Sequence, residues 1–325
     1  YWMDDQRINR RGVAVDREGL EACIAIIHQA QERYGGEFLS LTGIDSPTKV
    51  SQFQKWLAAR NIHTTSLDED AVLELLKLNL PQDIRRAIEI RAALASSSVK
   101  KVFAMRNMLG SDGRLHDLYI WGGARTGRPT GSGPQPTNLP KEGPPTLKCG
   151  NCKRYHGAKL LICPHCRIPL PPGRKADEWS PAAAAEALAA IRTQSLDYVE
   201  FVFGPGTALQ AVAGVLRSLF IAGPGRTLVS SDYSAIEGVV TAAIANETWR
   251  LDVFRSHGMI YEMSAAKILG IPFEEFIEYK RVHGKHHPAR QDPGKIAELG
   301  LGFGGWLNAW RQFDGPGTDE EAKAN

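Results

Sequence analysis

The chain has 325 residues, 43% of them hydrophobic and 23% charged, with a formal net charge of +3; this balance suits a globular protein with a large core and two or more domains, and excludes a disordered chain. No apolar run approaches the ~20 residues needed to cross a bilayer, and the Asp- and Arg-rich start is unlike a secretory signal, so the default expectation is a cytoplasmic protein without a membrane partner. Residues 141–176 hold eight Lys/Arg against the single acid Glu142, a local charge of +7 that leaves −4 on the rest and favours a polyanionic partner.

In chain order, Asp5 to Asp16 reads as a helix-and-turn entry. An amphipathic helix follows from Glu18 to Arg33, with Leu20, Ile24 and Ile27 on one face and Cys23 as a packing thiol. Three helices then start behind turn signals. Ser46-Pro47 opens one carrying Val50, Phe53, Trp56 and Leu57; Ser66 with Glu69 makes a capping box before Val72, Leu75 and Leu76; Pro81 opens a third through Ile84, Ile88 and Ile90. Asp112-Gly113 marks a hairpin turn, and Leu115 to Trp121 reads as its returning strand. Gly123 to Arg128 and Gln135 to Pro140 form a Gly/Pro-rich loop.

Cys149-Gly150-Asn151-Cys152 and Cys163-Pro164-His165-Cys166 are two C-x-x-C hooks with ten residues between them. Two-residue spacing lets both thiolates of a hook face one ion, and two hooks complete a tetrahedral shell. Paired hooks in a cytoplasmic setting favour structural Zn²⁺ over disulfides, and four thiolates leave no open position for catalysis. His156 and His165 are then bystanders. The only apolar cluster in the segment is Leu160 to Ile162, so the metal is expected to supply most of its folding free energy, on the order of 10 kcal/mol. With Tyr155 between the hooks and its positive charge, the segment suits phosphate contact that is not sequence-specific. It ends at Pro171-Pro172-Gly173, and Ser180-Pro181 opens an Ala-rich helix to Arg192.

Two stretches in the second half carry chemistry. Leu228 to Asp232 is β-favouring, and Ile236, Val239, Val240, Ala243 and Ile244 beyond it have the spacing of one helix face, so Asp232 stands at a strand-to-helix corner, either as a metal ligand or as a helix cap. Later, Asp292-Pro293 starts a helix with Lys295 in its first turn, where free N–H groups favour phosphate, and with Leu299, Gly302 and Phe303 on the same face. His283, Lys285, His286 and His287 precede it, a solvated basic face or an approach for a triphosphate.

The string Ser230-Ser231-Asp232-Tyr233-Ser234-Ala235-Ile236-Glu237 resembles motif A of the family A DNA polymerases, of the bacterial DNA polymerase I type and its phage relatives. The run from Arg290 to Gly305 is similar to their motif B, and Asp5 to Gly12, Thr126-Gly127-Arg128 and Asn138-Leu139-Pro140 resemble further segments of the family. The resemblance implies an α+β right-hand architecture. Its parts would be palm entry and helical thumb over 1–97, a palm strand and primer-contacting loop over 98–140, the inserted Cys₄ zinc ribbon over 141–178, palm with motif A over 179–256, and fingers with motif B over 257–325.

The same resemblance implies template-directed addition of deoxynucleotides to a primer 3′ end, with primer-template DNA and deoxynucleoside triphosphates as partners. Asp232 would bridge two Mg²⁺ ions with help from the Tyr233 carbonyl. Glu237 would exclude a ribose 2′-hydroxyl, Tyr261 takes the place of a phosphate-contacting histidine, Lys295 would grip the phosphates and protonate pyrophosphate, and Phe303 would stack beside the templating base. Arg128 would contact the primer terminus, Gln135 and Asn138 the template, and Ser97, Ser98, Lys100 and Lys101 lie where relatives keep a Ser/Lys cluster near the primer. The family's arginine four residues before the lysine is replaced by Gln291, so Arg290 would reach the phosphates only where the chain bends. No His-Asp-Glu turn follows motif B, so the chain is expected to be a piece of a longer polymerase and inactive alone. The rival readings are a non-catalytic zinc-ribbon DNA-binding protein on the same scaffold and a single-subunit RNA polymerase, against which Glu237 speaks.

Overall fold

A computed structural model describes residues 2–229, 234–300 and 305–312, except the side chains of Glu69 and Gln312. The chain divides into two compact units, Tyr1–Leu228 and Val229–Asn325.

The first unit is built around one long helix. After α1 (Trp2–Arg11) and β1 (Val13–Val15), α2 runs from Arg17 to Thr42. Asp16 caps it by accepting from the Gly19 N–H at 3.0 Å, and Gly43, at φ 73°, ends it in the left-handed region. The expected face is buried: Leu20, Cys23, Ile24 and Ile27 lie in the core, with the Cys23 thiol pushed up to about 12 by burial. The helix also passes the expected end at Arg33, through Gly35 and Gly36, because Tyr34 and Phe38 continue the buried stripe and Phe38 meets Phe53 at 5.3 Å between ring centroids.

Around α2 pack α5 (Gln82–Leu94), α6 (Ser97–Met108), α7 (Pro181–Ile191) and α9 (Ala208–Val215), with α3 (Val50–Ala58), α4 (Glu69–Lys77) and α8 (Leu196–Phe203) completing the helical set. The cap of α4 is not Ser66. Asp68 accepts from Ala71 N–H at 2.9 Å, while the Ser66 hydroxyl donates to Asp68 at 2.7 Å, because a carboxylate three residues before Ala71 reaches the free donor directly.

A three-stranded antiparallel sheet holds the chain's entry against its later half. Its order is β2 (Arg114–Leu115), β1, β7 (Phe220–Ile221), with Val13 opposite Leu115 and Val15 opposite Phe220. The turn at Asp112-Gly113 is present, with Gly113 at φ 73°, but its upstream arm is helix α6, so β2 pairs with β1. The expected strand from Leu115 to Trp121 is broken at Asp117, at φ 55°, and β3 (Tyr119–Ile120) pairs separately with β4 (Thr130–Gly131).

In the second unit α10 (Ile236–Ile244), α11 (Thr248–Ser256), α12 (Ile260–Leu269), α13 (Phe273–His283), α14 (Ile296–Gly300) and α15 (Leu307–Gln312) are short. The N-cap of α10 is Ala235, at φ 50°. The stripe spaced as one helix face is largely exposed here; Ala242 is the buried residue of α10.

Candidate functional site

The second unit gathers charged side chains where α12 meets the segment between α13 and α14. A 3-10 turn, Pro288–Arg290, is followed by a kink at Asp292 (φ −135°, ψ 107°), and regular helix resumes at Ile296. The kink presses against α12 so closely that a Cβ on Gly294 would lie 2.2 Å from the Tyr261 carbonyl oxygen. That approach positions four side chains. Arg290 Nε donates to Glu262 Oε1 at 2.8 Å, His286 Nδ1 lies 3.1 Å from the same oxygen, and the Arg290 guanidinium stands over the Tyr261 ring, 5.0 Å from its centroid. Glu262 is 8% exposed, so its charge is compensated locally by Arg290. A second buried carboxylate, Glu298, accepts from Arg250 Nη1 and from the Ser264 hydroxyl.

Of the residues expected to hold a nucleotide, Tyr261 and Arg290 are thus brought together. The kink at Asp292 follows Arg290, whose guanidinium is turned onto the Tyr261 ring. Lys295 is half-buried at the far side of the kink, one residue before α14, without a hydrogen-bond or ion-pair partner among the described residues. Glu237 is exposed in the first turn of α10 and lines an open depression of about 420 Å³ with Ile236, Val240 and Thr241. Asp232, Tyr233 and Phe303 lie outside the described residues. Glu262 was missed from the sequence; its signal is an acid three and four residues before the buried Ala265 and Ala266, on the inward face of α12.

In the first unit the loop from Gly123 to Pro140 is fixed by the protein's own cations. Gly127, at φ 79°, closes a turn onto Ala124, and Arg128 is exposed beyond it. Gln135 takes φ 51° and is exposed, as is Asn138, whose carbonyl accepts from Lys101 Nζ. Arg217 donates to the next two carbonyls, Leu139 at 2.8 Å and Pro140 at 3.0 Å. Lys101 therefore holds the loop that carries Gln135 and Asn138, and partial burial lowers its pKa.

The cysteines form the expected centre. All four Sγ atoms of Cys149, Cys152, Cys163 and Cys166 lie within 4.8 Å of one another, with 3.7 Å between Cys149 and Cys166 and between Cys152 and Cys163. A tetrahedron with Zn–S bonds of ~2.3 Å has edges of ~3.8 Å, whereas a disulfide needs ~2.05 Å, so the donor set fits a four-thiolate metal. The Asn151 side chain, hydrogen-bonding to Cys166, helps hold that thiol down to about 6, and burial pushes Cys163 up to about 12.

Around the cysteines β5 (Thr146–Lys148) pairs with β6 (Tyr155–Gly157), and Leu170 is buried against the thiols; Leu161 and Ile162, from the expected cluster, are exposed. The insert is anchored to the helices. Arg154 makes a forked pair with Glu186 of α7, at 2.5 Å for the shortest contact, Arg167 stands over Phe201 at 5.2 Å, and a Cβ on Gly157 would lie 2.1 Å from the Phe203 carbonyl oxygen. Its stem is closed by Asp177, which accepts from Lys148 N–H at 2.8 Å. His156 and His165 face backbone carbonyls and take no place in the sulfur cluster.

No protein-family model matches the chain. Among solved structures, the polymerase domain of Pol1 from M. smegmatis, in a complex with DNA primer-template and dNTP, aligns with a TM-score of 0.51 and 18% identity over 97% of this chain and 43% of that one. The fold is therefore that of a polymerase domain, helix-rich with small sheets, carrying an added Cys₄ segment. The DNA polymerase of Bacillus phage SP02 is 32% identical over 313 residues, 96% of this chain. The chain is thus similar along nearly its whole length to a phage DNA polymerase, and it spans 41% of the length of that relative.

Proposed function

We propose that the chain contributes thumb, palm and fingers elements to a template-directed DNA polymerase that adds deoxynucleotides to a primer 3′ end. The observation that carries this reading is the 32% identity to a phage DNA polymerase over 96% of the chain. It is supported by the meeting of Arg290 with Tyr261, with Lys295 across the kink and without a partner among the described residues. Arg290 and Lys295 bind the triphosphate, Tyr261 gives the guanidinium a flat surface, and Lys295 donates a proton to departing pyrophosphate. Glu237 excludes a 2′-hydroxyl, and Phe303 stacks at the templating base. Asp232 and the Tyr233 carbonyl would hold two Mg²⁺ ions, whose chemistry would be to acidify the primer hydroxyl and offset phosphate charge. Arg128, Gln135 and Asn138 line the primer-template path on a loop that Lys101 and Arg217 keep in shape.

The Cys₄ centre holds one structural Zn²⁺, and the insert's exposed lysines contact DNA phosphates. The deciding experiment is primer extension by a polymerase carrying this segment at full length. Asp232→Ala is expected to abolish extension while leaving DNA binding intact. Extension that survives removes Asp232 from the metal site, and binding without extension by the unmodified protein would favour a non-catalytic DNA-binding role.

A further inference from the structure

The family resemblance accounts for Arg290, Lys295 and Tyr261 but gives no part to the buried acid beside them. Glu262 offers a single oxygen, Oε1, to both Arg290 Nε, at 2.8 Å, and His286 Nδ1, at 3.1 Å. A guanidinium has five N–H donors in a planar fork. With Nε–H taken by Glu262 and one face against Tyr261, both the edge and the plane of Arg290 are fixed, and its two terminal amino groups have no partner among the described residues. Those groups are the donors that grip an oxyanion in parallel. Arg290 is 29% exposed on its side chain and Glu262 8%, so the pair has a sheltered carboxylate end and an open fork.

We infer that Glu262 is a positioning residue, which locks Arg290 by its Nε so that the free fork faces the triphosphate of an incoming deoxynucleotide. The inference rests on the nucleotide-site reading above and adds to it the group that makes a displaced arginine usable. Gln291 stands in the family's arginine position, and the neighbour that substitutes for it needs a fixed direction just before the kink at Asp292. An unlocked arginine would have to lose its rotamer freedom on binding.

The test is titration of the 325-residue chain with inorganic tripolyphosphate, which isolates the phosphate grip from base and sugar, alongside thermal unfolding. Arg290→Ala and Glu262→Ala are each expected to weaken binding about tenfold, the scale of one charge-assisted hydrogen bond. The double variant should bind no more weakly than Arg290→Ala alone, because Glu262 acts only through that side chain. Glu262→Gln keeps an oxygen for Nε–H and should lose about threefold or less. Where Glu262→Ala does not fold, the small loss from Glu262→Gln must vanish in the Arg290→Ala background. Additive losses, or wild-type affinity in Glu262→Ala, overturn the inference while leaving the site standing. Unchanged affinity in Arg290→Ala removes the nucleotide-site reading and this inference with it.

Discussion

Gly294 has no room for a side chain, since a Cβ there would lie 2.2 Å from the Tyr261 carbonyl oxygen and 3.0 Å from the Ala265 Cβ. Both neighbours belong to α12, one of them backbone, so neither can rotate aside. Gly294→Ala must therefore push the kinked segment away from the helix that carries Tyr261 and Glu262. The expected cost is ~1–3 kcal/mol, the usual range for overpacking a close contact. Because the same movement separates Arg290 from Glu262, nucleotide affinity should fall alongside the unfolding temperature. A variant that unfolds and binds like the unmodified chain would show that the contact is not held in solution. A Gly294 substitution thus reports on the seating of the whole cluster, whereas Glu262 and Arg290 report on one hydrogen bond within it.

At the scale of elements, the Cys₄ insert joins metal chemistry to docking. Arg154 and Arg167 face α7 and α8, while Lys148 and Lys159 are exposed. The cations therefore divide by task. Lys148→Glu and Lys159→Glu should each lower the slope of log affinity for primer-template DNA against log salt by about 1, as expected for one lost phosphate contact. Glu186→Ala should leave that slope unchanged and speed amide exchange in the β5–β6 hairpin, because its forked partner Arg154 loses its anchor; global stability changes by less than ~1 kcal/mol for so exposed a pair. Chelating the metal should weaken DNA binding with α2 and its neighbours still folded. Equal salt slopes in all the variants would remove the insert from the DNA path.

These elements also show what the sequence makes legible. The hooks were readable because ligand spacing is local, α2 because its apolar period is regular, and α7 because Ser180 and Pro181 sit at its first positions. Strand 115–121 was misread because the left-handed turn at Asp117 has no apolar signature, and α4 because two possible caps stand two residues apart. Asp292-Pro293 was read as a helix start with Lys295 in its first turn, whereas α14 begins at Ile296, and the pair could not say that Arg290 would turn toward Glu262, since that direction is set by a contact 28 residues away. The corner at Asp232 was read from β-favouring residues and helical spacing and its metal role from the resemblance to motif A, and Asp232 lies outside the described residues; the exposed stripe on α10 shows that helical spacing alone does not decide which face is covered.

The two units differ in what holds each together. In Tyr1–Leu228 one apolar cluster runs from Val15 to Leu219, includes fully buried Phe38, Phe53, Met105 and Leu118, and draws on helices far apart in sequence. Among the described residues of Val229–Asn325 the apolar clusters are small, Ala265, Ala266, Phe276 and Ala289 in one and Ile296 with Trp310 in another. Among the described residues its buried carboxylates are paired, Glu262 with Arg290 and Glu298 with Arg250. Apolar burial contributes ~25 cal/mol per Å², whereas a buried ion pair returns little beyond its own desolvation cost. A chain with few large buried side chains therefore lacks the driving force that gives a sharp transition. Residues 1–228 expressed alone should unfold in one cooperative step and retain the metal. Residues 229–325 alone should melt broadly, with little protection of the amides in α12. Calorimetry and hydrogen exchange on the two segments check this, and a sharp transition from the second would mean that the ionic contacts around Glu262 and Glu298 stabilise it far more than buried pairs ordinarily do.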